Sequence, residues 1–174
     1  MFNSNYFTTL DLIIPFVTLM GEFLGIVVIF LLLFYFRSFR NWWFVTAAVS
    51  CTVLSSLLTQ AIKVAVDAPR PLTFITDTTL IRILPEWKHN YFRSFPSGHT
   101  TGAFSMFFLL ACLLPERHRR FGILFFFVAL IVGYSRMYLA AHFFADIYAG
   151  SLIGVGFTAF LLMILRKYQH LFPD

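Results

Sequence analysis

Three short polar clusters interrupt an otherwise apolar chain. Lys63 is followed, after six residues, by Arg70 and Pro71. Pro96, Ser97, Gly98 and His99 are consecutive. Ser135 and Arg136 are followed by His142 after five residues and by Asp146 after three more. Three cations, two imidazoles, a hydroxyl and a carboxylate can grip a phosphate and displace it. The cations suit the charge of a phosphate, and an imidazole can attack it.

The third cluster is the sharpest. His142 and Asp146 are four residues apart, which puts them on one face of a helix. A carboxylate accepting from one imidazole nitrogen fixes the tautomer and aims the other nitrogen. Asp146 is the only formal charge in its apolar stretch and so needs a partner. A structural Asp–His tie is the plainer alternative. Ser97, Gly98 and His99 read as a helix start, with Ser97 or Thr100 as the cap. Free N–H groups there bind anions, and Gly98 lets one approach the backbone. Lys63 alone reads equally well as a snorkelling anchor. Pro69 disfavours helix at Ala68 and should end the preceding helix, leaving Arg70 in a loop and Asp67 to pair with either cation or to be solvated. Gly150 and Gly154 suit tight packing inside a bundle. Glu22 reads as a capping or packing group. Arg82, Lys88, His89 and Arg93 read as loop groups facing solvent, headgroups or substrate. His118 and His170 belong to basic segments.

These clusters must be positioned by membrane helices. The chain has 174 residues, 59% of them hydrophobic, and a mean hydropathy of +0.80. That composition predicts a single integral membrane domain over residues 1–174, with no repeat or linker, and excludes a soluble core. The expected fold is all-α: a polytopic bundle of five transmembrane helices, with a sixth admissible. The spans are read at Gly21–Phe36 (or from Leu12), Trp42–Val66, Ser97–Leu114, Phe121–Leu139 and Ala141–Leu165. Residues 4–20 read as an N-terminal interfacial helix that turns into the bilayer at Gly21. Asp67–Pro96 is an outer loop between spans two and three. The N-terminus has no signal-peptide pattern. Cys51 and Cys112 lie within spans and read as buried apolar residues, not a disulfide.

The net charge of +5 sets orientation and does not point to nucleic acid. Arg37 and Arg40, then Arg117, Arg119 and Arg120, then Arg166 and Lys167 fall on one side of five spans. The positive-inside rule makes that side cytoplasmic. The three polar clusters then converge on the outer face.

At this point the motifs KVAVDAPRP, PSGHTTGAF and SRMYLAAHFFAD resemble those of the type 2 phosphatidic acid phosphatase superfamily of membrane lipid phosphatases, over roughly residues 20–165. The resemblance implies that His142 is the nucleophile, Asp146 its orienting partner and His99 the acid. It implies that Lys63, Arg70, Ser97, Gly98 (through its backbone) and Arg136 cradle the phosphate. A terminal phosphate of a lipid phosphate or diphosphate would leave through a phosphohistidine intermediate. Candidate lipids are polyprenyl (undecaprenyl) diphosphate, phosphatidylglycerol phosphate, phosphatidic acid and lipid A phosphate. The departure is in length, because many members have six spans. By analogy with short members, the expected location is a bacterial cytoplasmic membrane, with the site on the periplasmic face. No metal or other cofactor is expected, since the cations would repel a dication. The rival readings are a lipid-to-lipid phosphotransferase using the same residues, a vanadate-binding peroxidase (disfavoured by the apolar spans), and a non-catalytic transporter, whose site would lie near the bilayer midplane.

Overall fold

The computed structural model describes residues 8–35, 39–74 and 90–172. Among these residues there are seven α-helical segments and no strand: α1 Thr8–Leu19, α2 Phe23–Leu33, α3 Trp42–Val66, α4 Pro71–Phe74, α5 Gly98–Leu113, α6 Phe121–Tyr138 and α7 Phe144–Lys167. Three stretches are long and apolar enough to cross a bilayer: α3 continued through α4, α6, and α7. A fourth is gained if α1 and α2 count as one bent span. The chain is a multi-pass membrane protein.

The stretch read as an interfacial helix followed by a first span forms two helices, α1 and α2, that meet at 72°. The turn lies at Met20–Glu22, where the sequence reading put a change of direction. α5 has 16 residues, about 24 Å at 1.5 Å per residue, which is shorter than a full hydrocarbon core. Its place in the bundle explains why most of it is nevertheless buried. α5 packs on α2, α3, α6 and α7. It buries Ala103, Phe104, Ser105, Met106, Phe107, Leu109 and Leu110, which together cover most of its circumference. The outer helices instead leave Leu57, Val64, Phe126, Phe127, Phe160 and Met163 exposed, as lipid-facing surfaces require.

The small residues of α7 make this packing close. A side-chain carbon at Gly150 would lie 2.8 Å from the carbonyl oxygen of Ser97, and one at Gly154 would lie 2.7 Å from that of Thr101. The expected packing role of both glycines is met. Deeper in the bundle, the hydroxyls of Ser105 and Thr158 hydrogen-bond at 2.6 Å, joining α5 to α7. Cys51 is buried and Cys112 half-buried, and both are free.

The helix directions put the polar clusters together. Arg166 donates to the carbonyl of Cys112 at 3.3 Å, so α5 and α7 end side by side. Trp43, near the start of α3, packs in the same region as Cys112, Leu113 and Leu165. The basic ends therefore lie opposite the starts of α5 and α7 and the ends of α3 and α6. Arg37, Arg82, Lys88 and His89 lie outside the described residues.

Replacing Gly154 with alanine should lower stability by about 1–3 kcal/mol, because the added methyl overpacks against α5 backbone. The thermal unfolding midpoint of the detergent-purified protein, compared with Gly156→Ala, checks this. Nothing lies within 4 Å of a carbon added at Gly156.

Candidate functional site

α3 ends one turn after Lys63. Asp67 adopts a left-handed conformation (φ 42°, ψ 39°), and its N–H returns to the carbonyl of Lys63 at 3.0 Å. The helix thus stops just before the Ala68–Pro69 pair, as Pro69 requires. Residues 90–97 then lie along the chain that follows α3. Ser94 N–H donates to Ala68 at 2.8 Å, and Arg70 N–H donates to Tyr91 at 2.8 Å. The carbonyls of this strap hold the first two cations. Lys63 Nζ donates to Arg93 O at 2.8 Å and to Ser94 O at 3.4 Å. Arg70 Nε donates to Phe92 O at 3.0 Å, and its Nη1 to Ala141 O at 3.4 Å. Of the two expectations for Asp67, pairing with Lys63 or Arg70 is not met and the solvated alternative is: its largely exposed carboxylate lies 3.8 Å from the equally exposed Arg93, because the left-handed turn carries it off the helix.

The expected helical face shared by His142 and Asp146 is also corrected. α7 begins at Phe144, so His142 lies in the turn before the helix and Asp146 in its first turn. Ala140 takes a positive φ of 50°, and the N–H groups of Ala141 and His142 both fold back on Arg136 O. The pair still forms, with His142 Nδ1 3.3 Å from Asp146 Oδ2. The same oxygen accepts from Phe143 N–H at 2.9 Å and from Ser94 Oγ at 2.5 Å. Asp146 is therefore fixed by the helix start as well as by the imidazole. Burial pushes His142 down to about 3, with the Asp146 hydrogen bond opposing and Arg136, Arg70 and Lys63 adding to the fall. The imidazole is neutral near pH 7, the state a nucleophile needs.

Ser97 caps α5, as one of the two sequence alternatives had it. Its Oγ accepts from the N–H and the hydroxyl of Thr100 at 3.4 and 2.9 Å. Its own N–H donates to Asp146 O at 3.0 Å, which ties the starts of α5 and α7 together. Arg136, on the last turn of α6, is buried and donates to Thr18 Oγ1 at 2.7 Å.

A cavity of about 540 Å³ opens at this end of the bundle, lined by Lys63, Arg70, Gly98, His99, Arg136 and His142, with Gln60 and residues 90–93 completing it. Six of the eight residues singled out by the sequence thus face one space. Ser97 and Asp146 do not line it, since their side chains are engaged behind it in capping and in holding His142. Of two further polar groups here, Ser94 escaped the sequence reading and Glu22 was read there only as a capping or packing group. Ser94 reaches Asp146 and lies 3.4 Å from His142 Nδ1. Glu22 Oε1 lies 2.9 Å from His99 Nε2. Ser94 stands two residues before the Pro96–His99 run, and that proximity was the available signal. Glu22 is remote in sequence from all three clusters and carried no such signal.

With this geometry in view, the chain can be compared with known proteins. The family described as the PAP2 superfamily matches residues 44–169. A lipid A 1-phosphatase of Rhizobium johnstonii is 32% identical over 125 residues, covering 70% of this chain and 49% of that protein. An undecaprenyl-diphosphatase of Sulfolobus acidocaldarius is 31% identical over 159 residues, covering 88% and 70%. The chain thus spans about half the length of the Rhizobium relative. The crystal structure of Aquifex aeolicus LpxE superposes with a TM-score of 0.76 at 26% identity, covering 96% of this chain and 91% of that one.

Removing one cavity cation should weaken anion binding. Arg136→Gln is expected to raise the Kd for orthophosphate at least about tenfold, the worth of one charge-assisted hydrogen bond. Arg119→Gln, at the basic end, should leave it unchanged. Equilibrium dialysis with labelled phosphate measures both.

Proposed function

Because the chain belongs to the PAP2 superfamily, we propose that it is a membrane lipid phosphatase that removes the terminal phosphate from a lipid phosphate or diphosphate through a phosphohistidine. One observation carries the reading: two imidazoles, His99 and His142, line one cavity with three cations, Lys63, Arg70 and Arg136.

Asp146 holds His142 by Nδ1 and leaves Nε2 to attack phosphorus. As the bond from phosphorus to the leaving oxygen breaks, His99 gives that oxygen a proton. The three cations and the Gly98 backbone take the charge of the equatorial oxygens, with Ser97 holding the helix start that presents them. The departed lipid leaves phosphate on His142 and a neutral His99. His99 then takes a proton from water as that water attacks phosphorus, and the bond to His142 breaks. Phosphate leaves and both rings are restored.

The site sits at helix ends beside lipid-facing surface, so a headgroup can enter from the side while its chains stay in the bilayer. Lipid A phosphate and undecaprenyl diphosphate are the substrates for which the relatives are named. Phosphatidylglycerol phosphate and phosphatidic acid present the same terminal group. In this reading α1–α2, α3, α5, α6 and α7 make five crossings. Arg40, Arg117, Arg119, Arg120, Arg166 and Lys167 face the cytoplasm, and the cavity opens on the periplasmic side of a bacterial cytoplasmic membrane.

The purified protein should release phosphate from at least one of these four lipids. His142→Ala should fall to background. His99→Ala should lose about 10² to 10⁴ in rate, the usual worth of placed acid catalysis. Both variants should remain monodisperse. The pH profile of kcat/KM should be bell-shaped. Since His142 is held low, its acidic limb lies below the ordinary histidine range. Normal turnover by His142→Ala would refute the nucleophile.

A further inference from the structure

Glu22 precedes α2 in the elbow between α1 and α2, outside the residues 44–169 that match the family. It occupies the capping position of α2, yet its side chain makes no capping hydrogen bond. Its Oε1 lies instead 2.9 Å from Nε2 of His99, with the two side chains 38% and 23% exposed. The elbow is pressed onto this point by backbone contact. A side-chain carbon at Gly21 would lie 2.4 Å from the carbonyl oxygen of His99, and one at Gly102 would lie 2.8 Å from that of Gly21. Glycine at both positions is what lets the elbow come so close.

We infer that Glu22 is a positioning residue for the reaction: it holds His99 by Nε2 so that Nδ1 delivers the proton to the leaving oxygen. The inference rests on the reading of His99 as the acid. The site then contains two carboxylate–imidazole pairs of opposite sense. Asp146 touches Nδ1 of His142, and its charge is shared with Ser94 and the Phe143 N–H. That arrangement suits a neutral ring. Glu22 has no other hydrogen-bonding side chain among the described residues, and its charge, which also reaches Arg136, suits an imidazolium at His99. When the bond from phosphorus to oxygen breaks, the Nδ1 proton moves to the leaving oxygen. The ring becomes neutral and keeps its Nε2 proton on Glu22. When water attacks the phosphohistidine, Nδ1 takes a proton from it and the imidazolium is restored. The other titratable or charged groups around His99 are Arg136, His142, Arg70 and Lys63, none of them an anion.

The test is Glu22→Gln, assayed on two esters with different leaving groups. Dioctanoyl phosphatidate releases a basic alkoxide that needs a proton, whereas p-nitrophenyl phosphate releases a phenolate that does not. Glu22→Gln should lower kcat/KM on phosphatidate about tenfold to hundredfold and on the nitrophenyl ester less than about threefold, a part of the full worth of acid catalysis. The ratio, taken within one preparation, is independent of the fraction folded. The alkaline limb of the phosphatidate profile should move to lower pH. Adding Glu22→Gln to His99→Ala should cost nothing further. Equal losses on both esters, no loss, a gain, or an unmoved alkaline limb would overturn the inference while leaving the phosphatase reading intact. A wild-type protein inert on both esters and on the lipid panel would remove that reading first, and this one with it.

Discussion

Like charges held close in a low-dielectric place constrain everything else in this molecule. Lys63, Arg70 and Arg136 border one cavity at the end of a helix bundle. Charges so placed repel each other and lose hydration, so each must be fixed by neutral acceptors or balanced by an anion. The chain fixes them with neutral groups. Strap carbonyls take Lys63 and Arg70, and a threonine hydroxyl on α1 takes Arg136. The carboxylates at the site are turned to other work, since Asp146 and Glu22 each hold a histidine. The excess positive charge is thereby kept for a ligand, and a doubly charged phosphate oxygen set is the ligand it suits.

The backbone is arranged to the same end. Helix starts carry partial positive charge, and α5 and α7 both begin at the cavity end. The Ser97 N–H bonds to the Asp146 carbonyl, which locks one start to the other. His99, at the start of α5, and His142, just before α7, are thus placed relative to each other by backbone, independently of their own side chains.

Much of this could be read from residue order. Trp42–Val66 was recovered as α3 from its apolar run and its Pro69 stop, and Phe121–Tyr138 within one residue. The Pro96–His99 run gave the start of α5, because proline, a capping hydroxyl and glycine act locally. The grouping of six site residues followed from counting crossings. What was not legible depends on contacts between segments distant in sequence. The start of α7 was misplaced because residues 139–144 hold no glycine or proline to announce a turn. The left-handed turn at Asp67 diverted its carboxylate to Arg93, and no spacing rule predicts that. Glu22 looked like a cap because its partner, His99, is 77 residues away.

The hydroxyl pair of Ser105 and Thr158 lies deep between α5 and α7. Ser105 otherwise has only longer contacts, to Cys51 O and Ser55 Oγ at 3.4 and 3.5 Å, so in surroundings without water sliding either helix by one turn would cost the pair its short hydrogen bond. The pair therefore acts as a detent. It indexes the axial offset of the two rods from the interior, and the alignment of their far tips inherits that setting.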